Sequence, residues 1–251
     1  MQELNEKGKL AKEASYVLAA LSTDIKNKAL LAIADALIQK SDYIISENNK
    51  DIQNGRSNNM PEGLIDRLTL TPERIEGIAE GLRQIAALPD PIGETVTGIK
   101  RPNGLKITKI RVPLGVIGII YEARPNVTAD AAGLCIKSGN AVILRGGKEA
   151  FNSNMAIVSV MQEAGYAAGL PVGSVNLVEN TTRESSTALM RLNEYLDVII
   201  PRGGAGLIKA VVENATVPAI ETGTGNCHVY VDSDADLKMA ERIIINAKTQ
   251  R

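Results

Sequence analysis

Tryptophan is absent from these 251 residues, and one phenylalanine, Phe151, joins six tyrosines to give only 3% aromatic content. A single-strand nucleic-acid surface needs stacked aromatic platforms along a basic groove. Neither is offered: 28 Lys and Arg stand against 29 Asp and Glu, a formal net charge of −1. The same balance argues against an anionic membrane as main partner. Long apolar runs are also missing, and none approaches the roughly 20 residues of a spanning helix. The opening Met1-Gln-Glu-Leu-Asn-Glu-Lys7 starts as a charged amphipathic helix and lacks a secretory leader's apolar core. Two cysteines, Cys135 and Cys227, make no disulfide scaffold, so a reducing cytoplasm is expected. With one histidine, His228, a Ser-His-Asp set is unconvincing, and no metal-ligand spacing is found.

What is there falls into two periods. Over the first 90 residues apolar positions recur at three- and four-residue steps, as in Leu4, Ala11, Ala14, Leu18, Leu21 and in Leu30, Ile33, Ala34, Leu37, Ile38. Asp24 and Ser41 are expected N-caps, and Asn54-Gly55 a stop. Thr71-Pro72 starts a further helix with apolar face Ile75, Ile78, Ala79, Leu82 and Ile85. The period then changes. Segments 95–100 and 105–112 alternate around Arg101-Pro-Asn-Gly104, a hairpin whose charged face carries Lys100, Lys106, Lys109 and Arg111. With so little core of its own, it must lean on this chain or on a neighbour.

From Pro113 strands and helices alternate. Strands are predicted at 115–121, 141–145, 174–178, 197–201, 217–220 and 227–231, with helices at 126–137, 149–168, 183–193, 204–213 and 235–248. The fold class is therefore α/β: a doubly wound, mostly parallel Rossmann-like sheet, with an N-terminal helical region (1–92) and a protruding β-hairpin (93–112). The sheet core occupies 113–251. The last helical pattern runs on to Lys248 without a C-cap, which leads us to expect a piece of a longer protein.

Two strands end alike, in Arg145-Gly146-Gly147-Lys148 and in Arg202-Gly203-Gly204. Strand, Gly-rich turn and helix together present free backbone N–H groups to an anion, and arginine adds a planar fork suited to phosphate. Two such turns in one sheet point to a ligand with several phosphates, a dinucleotide being the obvious candidate. Neither turn is the full G-x-G-x-x-G fingerprint. Arg124 and Asn126, at the start of the helix after the first core strand, could hold a substrate carboxylate or phosphate. Equally, Pro125 could simply start the helix with Arg124 solvated. Glu221 precedes Gly223 and Gly225 and could be a general base or a positioning group. His228 reads as structural and Cys135 as a buried, inert thiol.

The segments 112–127, 138–148 and 221–228 resemble the gamma-glutamyl phosphate reductase family, also called glutamate-5-semialdehyde dehydrogenases, within the aldehyde dehydrogenase superfamily. The likeness runs over the whole chain. It implies NADPH-dependent reduction of L-glutamyl 5-phosphate to the semialdehyde through a cysteine thioester, a step of proline biosynthesis. It also implies a homo-oligomer joined through the 93–112 hairpin and association with a glutamate 5-kinase, with no nucleic acid, membrane or metal. Arg145 falls where NAD-using relatives carry a ribose-holding Lys, and Lys148 where they carry a ribose-binding Glu. Exchanging that acid for a base favours the 2′-phosphate of NADP. Gly203 and Gly204 match the turn near the pyrophosphate. Glu221 matches the superfamily's general base, a role a reductase must restrain because it hydrolyses the thioester. The family's nucleophilic cysteine lies shortly beyond Arg251, so the chain is expected to bind cofactor and to be inactive alone. The alternative is a non-catalytic interaction module that keeps the fold.

Overall fold

Helical periodicity in the first third becomes five helices in the computed structural model, which describes residues 1–221, 223, 225 and 227–249. They are α1 (Gln2–Leu18), α2 (Thr23–Gln39), α3 (Ser41–Ser57), α4 (Glu62–Leu68) and α5 (Pro72–Ala87). The expected apolar faces are the buried ones: Leu4, Ala11, Ala14 and Leu18 on α1, and Ile75 to Ile85 on α5. Leu21 and Ile38 are only half-buried. Thr71 caps α5 through its hydroxyl, which accepts from Arg74 N at 3.2 Å. The other cap and stop positions differ. Ser22, not Asp24, caps α2, and Ser41 lies inside α3 behind Lys40. Gly55 is buried within α3, and the chain turns instead at Asn59, whose φ is 56°.

The hairpin forms as β1 (Thr95–Lys100) and β2 (Lys106–Ile110), antiparallel, with every residue exposed. The sheet follows: β3 (Val116–Tyr121), α6 (Pro125–Lys137), β4 (Ala141–Arg145), a 3-10 turn (Lys148–Ala150), α7 (Phe151–Ala167), β5 (Val175–Leu177), α8 (Arg183–Met190), β6 (Val198–Arg202), α9 (Ala205–Asn214) and α10 (Leu237–Thr249). Its order is β5-β4-β3-β6, and all neighbours are parallel. Right-handed crossovers put α6 and α7 on one face, and the return from β5 to β6 on the other. There α1 closes the sheet, with Gly8 lying against Tyr195. Helices α2, α3 and α5 back α6 and α7, and apolar residues of helices and sheet form one buried cluster.

Two expected strands are corrected. Segment 217–220 runs beside β6 but makes a single bridge, Ile199 to Ala219. Pro218 and Pro201 have no N–H to extend that ladder. Segment 227–231 is not a strand: its alternating pattern has no neighbouring strand among the described residues, and Val229 and Tyr230 are exposed. Helix α10 forms as expected, yet none of its residues is buried among the described residues. No helix among them is long and apolar enough to cross a membrane.

Candidate functional site

In an open parallel sheet, ligands sit beyond the carboxyl ends of the strands where the strand order reverses. Here that point lies between β3, which leads to β4 and β5, and β6 on the opposite side. The turns after β3, β4 and β5 open into one cleft of about 1150 Å³, with Tyr121, Arg124, Arg145, Lys148 and Thr181 in its wall. The link between α3 and α4, with Asn58 and Met60, and Arg67 of α4 also line it. Among the described residues no cluster of His, Cys, Asp and Glu could hold a metal ion.

Beneath the cleft floor lies a buried polar chain. The Thr128 hydroxyl donates to Asn154 Oδ1 at 2.8 Å, which leaves the Tyr121 hydroxyl to donate to Thr128, also at 2.8 Å. Burial pushes the Tyr121 phenol well above its ordinary pKa. Tyr121 is thus a neutral donor that fixes the end of β3 against α6 and α7. Gly146 is buried over Tyr121 and Asn154, and Gly147 packs on the backbone of Ala123.

Arg145 and Lys148 leave β4 differently. The Arg145 guanidinium is half-buried: Nη2 donates to the carbonyls of Thr181 (2.6 Å) and Thr182 (3.1 Å), and Nη1 to that of Gly146 (3.1 Å). Only Nε is left buried without a partner. Burial lowers the pKa of this guanidinium, with Glu149 working against it. Arg145 therefore braces the loop that caps α8, where the Thr182 hydroxyl accepts from Ser185 N at 3.3 Å. Lys148 is exposed in the cleft wall and makes no ion pair among the described residues.

After β3, Arg124 occupies the N-cap position of α6, is exposed, and lines the cleft. Asn126 is turned along the helix, donating to Asp130 Oδ2 at 3.2 Å, and is not part of the cleft wall. At the end of β6, Arg202, Gly203 and Gly204 are exposed and lie outside the cleft wall, and Gly204 N donates to Glu122 Oε1 at 2.7 Å. Glu221 is exposed at the end of the segment beside β6 and lies outside the cleft wall. Of its Gly-rich neighbourhood, Thr222, Thr224 and Asn226 lie outside the described residues. Cys135 is buried, and burial pushes its thiol up to about 12. The sequence reading missed Glu122, Thr181 and the α3–α4 wall. Only Thr182, three residues before Ser185, left a trace, as a capping pattern.

The aldehyde dehydrogenase family matches over residues 2–251. A gamma-glutamyl phosphate reductase of Heliobacterium modesticaldum is 61% identical over 249 residues, which are 99% of this chain and 60% of that protein. One from Clostridium botulinum (strain Alaska E43 / Type E3) is 62% identical over 251 residues, 100% of this chain and 61% of that protein. The chain thus spans about three fifths of the length of these curated relatives. Among solved structures, gamma-glutamyl phosphate reductase of Thermotoga maritima superposes with a TM-score of 0.92 at 48% identity, covering 99% of this chain and 60% of that one. The Saccharomyces cerevisiae reductase does so at 0.80 and 32%, covering 98% and 62%.

Proposed function

The chain belongs to the aldehyde dehydrogenase family, and on that premise we propose that it is the dinucleotide-binding portion of a gamma-glutamyl phosphate reductase. Such an enzyme reduces L-glutamyl 5-phosphate to L-glutamate 5-semialdehyde with phosphate release, and NADPH, when bound, would supply the hydride. The observation that carries the reading is Lys148, an exposed ammonium without an ion pair among the described residues, in a cleft beside the switch point. A base at this turn suits the 2′-phosphate of NADP as an acid suits the 2′-hydroxyl of NAD.

The residues present fit that cofactor. The cleft volume is of the size that small-molecule sites occupy. Lys148 would hold the 2′-phosphate, with Arg145 bracing the Thr181–Thr182 loop beside it. Gly203 and Gly204, opening α9, would face the pyrophosphate. Arg124 supplies a cation toward the substrate's carboxylate or phosphate, whereas Asn126 is engaged by Asp130. Glu221, exposed and outside the cleft wall, would orient the nicotinamide or the thiol rather than activate water. Cys135 is too deeply buried to attack an acyl phosphate, whereas Cys227 is exposed; by the family resemblance the attacking thiol would lie in the part of the relatives' length that this chain does not span.

Titration of NADPH and NADH, followed by nicotinamide fluorescence, tests the reading. The chain should bind NADPH at micromolar concentration. Placing a like charge against the 2′-phosphate costs on the order of 2–3 kcal/mol, so Lys148→Glu should weaken NADPH about 30- to 140-fold and leave NADH nearly unchanged. Arg145→Lys, which loses the fork on the Thr181 and Thr182 carbonyls, should weaken both dinucleotides alike. Equal losses of NADPH and NADH in Lys148→Glu would remove the 2′-phosphate assignment. A folded chain that binds neither dinucleotide would favour a non-catalytic interaction module.

The hairpin belongs to the same proposal as an oligomer contact. Ile99 and Ile107 pair directly across it and are 55% and 49% exposed. Paired apolar residues standing in water on a two-stranded ribbon call for a covering surface. Replacing both with Glu should lower the mass found by sedimentation without unfolding the chain, and an unchanged mass would count against the assignment.

A further inference from the structure

The place where β3 and β6 part is not open. Glu122, the first residue after β3, reaches across it, and its Oε1 accepts the Gly204 N–H at 2.7 Å. Gly204 is the N-cap of α9 and has no side chain of its own to satisfy that end of the helix. The fit is close: a Cβ at Gly203 would lie 2.7 to 2.8 Å from Glu122 Cδ, Cγ and Oε1. The carboxylate thus occupies space left by the missing side chain, and even alanine at 203 would expel it. Backbone bonds hold Glu122 in register: its N–H donates to Arg202 O at 3.3 Å, and its own carbonyl accepts from Arg124 N at 2.7 Å. Two exposed arginines, Arg124 and Arg202, flank it in the fold, yet its carboxylate is bound to the helix amide.

A carboxylate on a helix N-terminus satisfies the same free N–H groups and the same dipole that bind a phosphate. The Gly204 amide has one hydrogen, and Glu122 already accepts it. We infer that Glu122 is an internal competitor for the phosphate subsite of the crevice, a side chain that must turn away before a dinucleotide's pyrophosphate can reach Gly204. This rests on the dinucleotide reading above. Ligand affinity is then set by an exchange of one anion for another on the same donors. Because the Glu122 side chain is exposed, water re-solvates it when it leaves, so the exchange is reversible and its penalty modest. An adenosine end held at Lys148 supplies the tethered second anchor that lets a dinucleotide displace Glu122 where a free anion does so poorly.

Two probes test this on the chain and on Glu122→Gln and Glu122→Ala: NADPH, read by fluorescence, and inorganic pyrophosphate, read by thermal shift. Glu122→Gln keeps the size of the side chain and guards against misfolding, which circular dichroism checks. Both variants should bind NADPH about tenfold more tightly. Pyrophosphate should stabilise Glu122→Ala at concentrations that leave the parent chain unmoved. NADPH binding that is equal in all three chains would make Glu122 a simple helix cap and overturn the inference while leaving the dinucleotide reading intact. Weaker binding by the variants would overturn it in the other direction, making Glu122 a ligand contact. No binding of either probe by any of the folded chains would remove both.

Discussion

Gly115→Ala is expected to lower the unfolding free energy by about 3–5 kcal/mol, the sum of a strained backbone and a broken half-buried network. Gly115 has φ of 121°, a region that L side chains rarely enter. A Cβ there would overlap Asp197 Oδ2 and come within 2.8 Å of Asp197 Cγ. Asp197 cannot retreat freely. Its Oδ2 accepts Val116 N at 2.8 Å, its N–H donates to Val116 O at 3.0 Å, and both carboxylate oxygens accept from Lys12 Nζ at 2.9 Å. The Gly115 carbonyl also accepts from Ala141 N, so this one residue joins the starts of β3 and β4 next to the start of β6. Urea unfolding measures the loss, and a change below about 1 kcal/mol would show that the junction yields. Asp197→Ala in the same chain should relieve part of the clash, making the double variant less damaged than the sum of the singles. The junction lies at the opposite end of the sheet from the cleft. Dinucleotide affinity of the folded fraction should therefore stay the same.

Much of this architecture is legible in the residues because burial follows period. The three- and four-residue steps of α1, α2 and α5 and the β-branched runs of β3, β4 and β6 each report a face that meets the core. Legibility ends where a partner far along the chain decides the outcome. Segment 227–231 alternates as a strand does, yet a strand needs a neighbour and none of the described residues provides one. Lys26 and Lys137 carry no sequence sign of burial but are 1% and 3% exposed. Lys26 pairs with Asp90 at 2.6 Å, and Lys137 donates to Asn27 Oδ1 and to the Ala86 carbonyl. At the site, strand ends and glycine turns announce a phosphate-binding crevice, but not which donors are already engaged. Arginine's planar fork suits carbonyls as well as phosphate, so Arg145 alone could not reveal its brace on Thr181 and Thr182. Glu122 likewise carries no sequence signal, because its partner amide lies 82 residues away.

The same long reach explains why Asp51→Ala should be comparably damaging, with an expected loss of about 3–5 kcal/mol. Helix α7 begins behind Ala150, which offers no side-chain cap. Its first donors are met instead by Asp51 of α3, 2% exposed. Oδ1 accepts from Asn152 N (3.2 Å) and Nδ2 (2.7 Å), and Oδ2 from Ser153 N (2.8 Å) and Oγ (2.6 Å). A carboxylate at a helix N-terminus is favoured by the dipole and satisfies two amides that would otherwise be buried and unpaired. Truncation orphans those donors, each at about 1–3 kcal/mol, and leaves a small cavity. Asn48 extends the network, donating to Ser153 Oγ and to the Leu68 carbonyl while accepting from Leu70 N, so α3, the α4–α5 link and α7 share one set of bonds. Asp51→Asn keeps the volume but turns an NH₂ toward donors, and it should lose about half as much. Because Asp51 also lines the cleft, and α7 follows directly on the turn that carries Lys148, the Asn variant has a second readout. Its NADPH affinity should fall severalfold while NADH falls equally, since the whole turn shifts and not one charge. Thermal unfolding of both variants, with matched titrations of the Asn form, checks this. A stable Asp51→Ala chain would mean that α7 finds another cap, and a loss confined to NADPH would assign Asp51 to the Lys148 charge rather than to the turn.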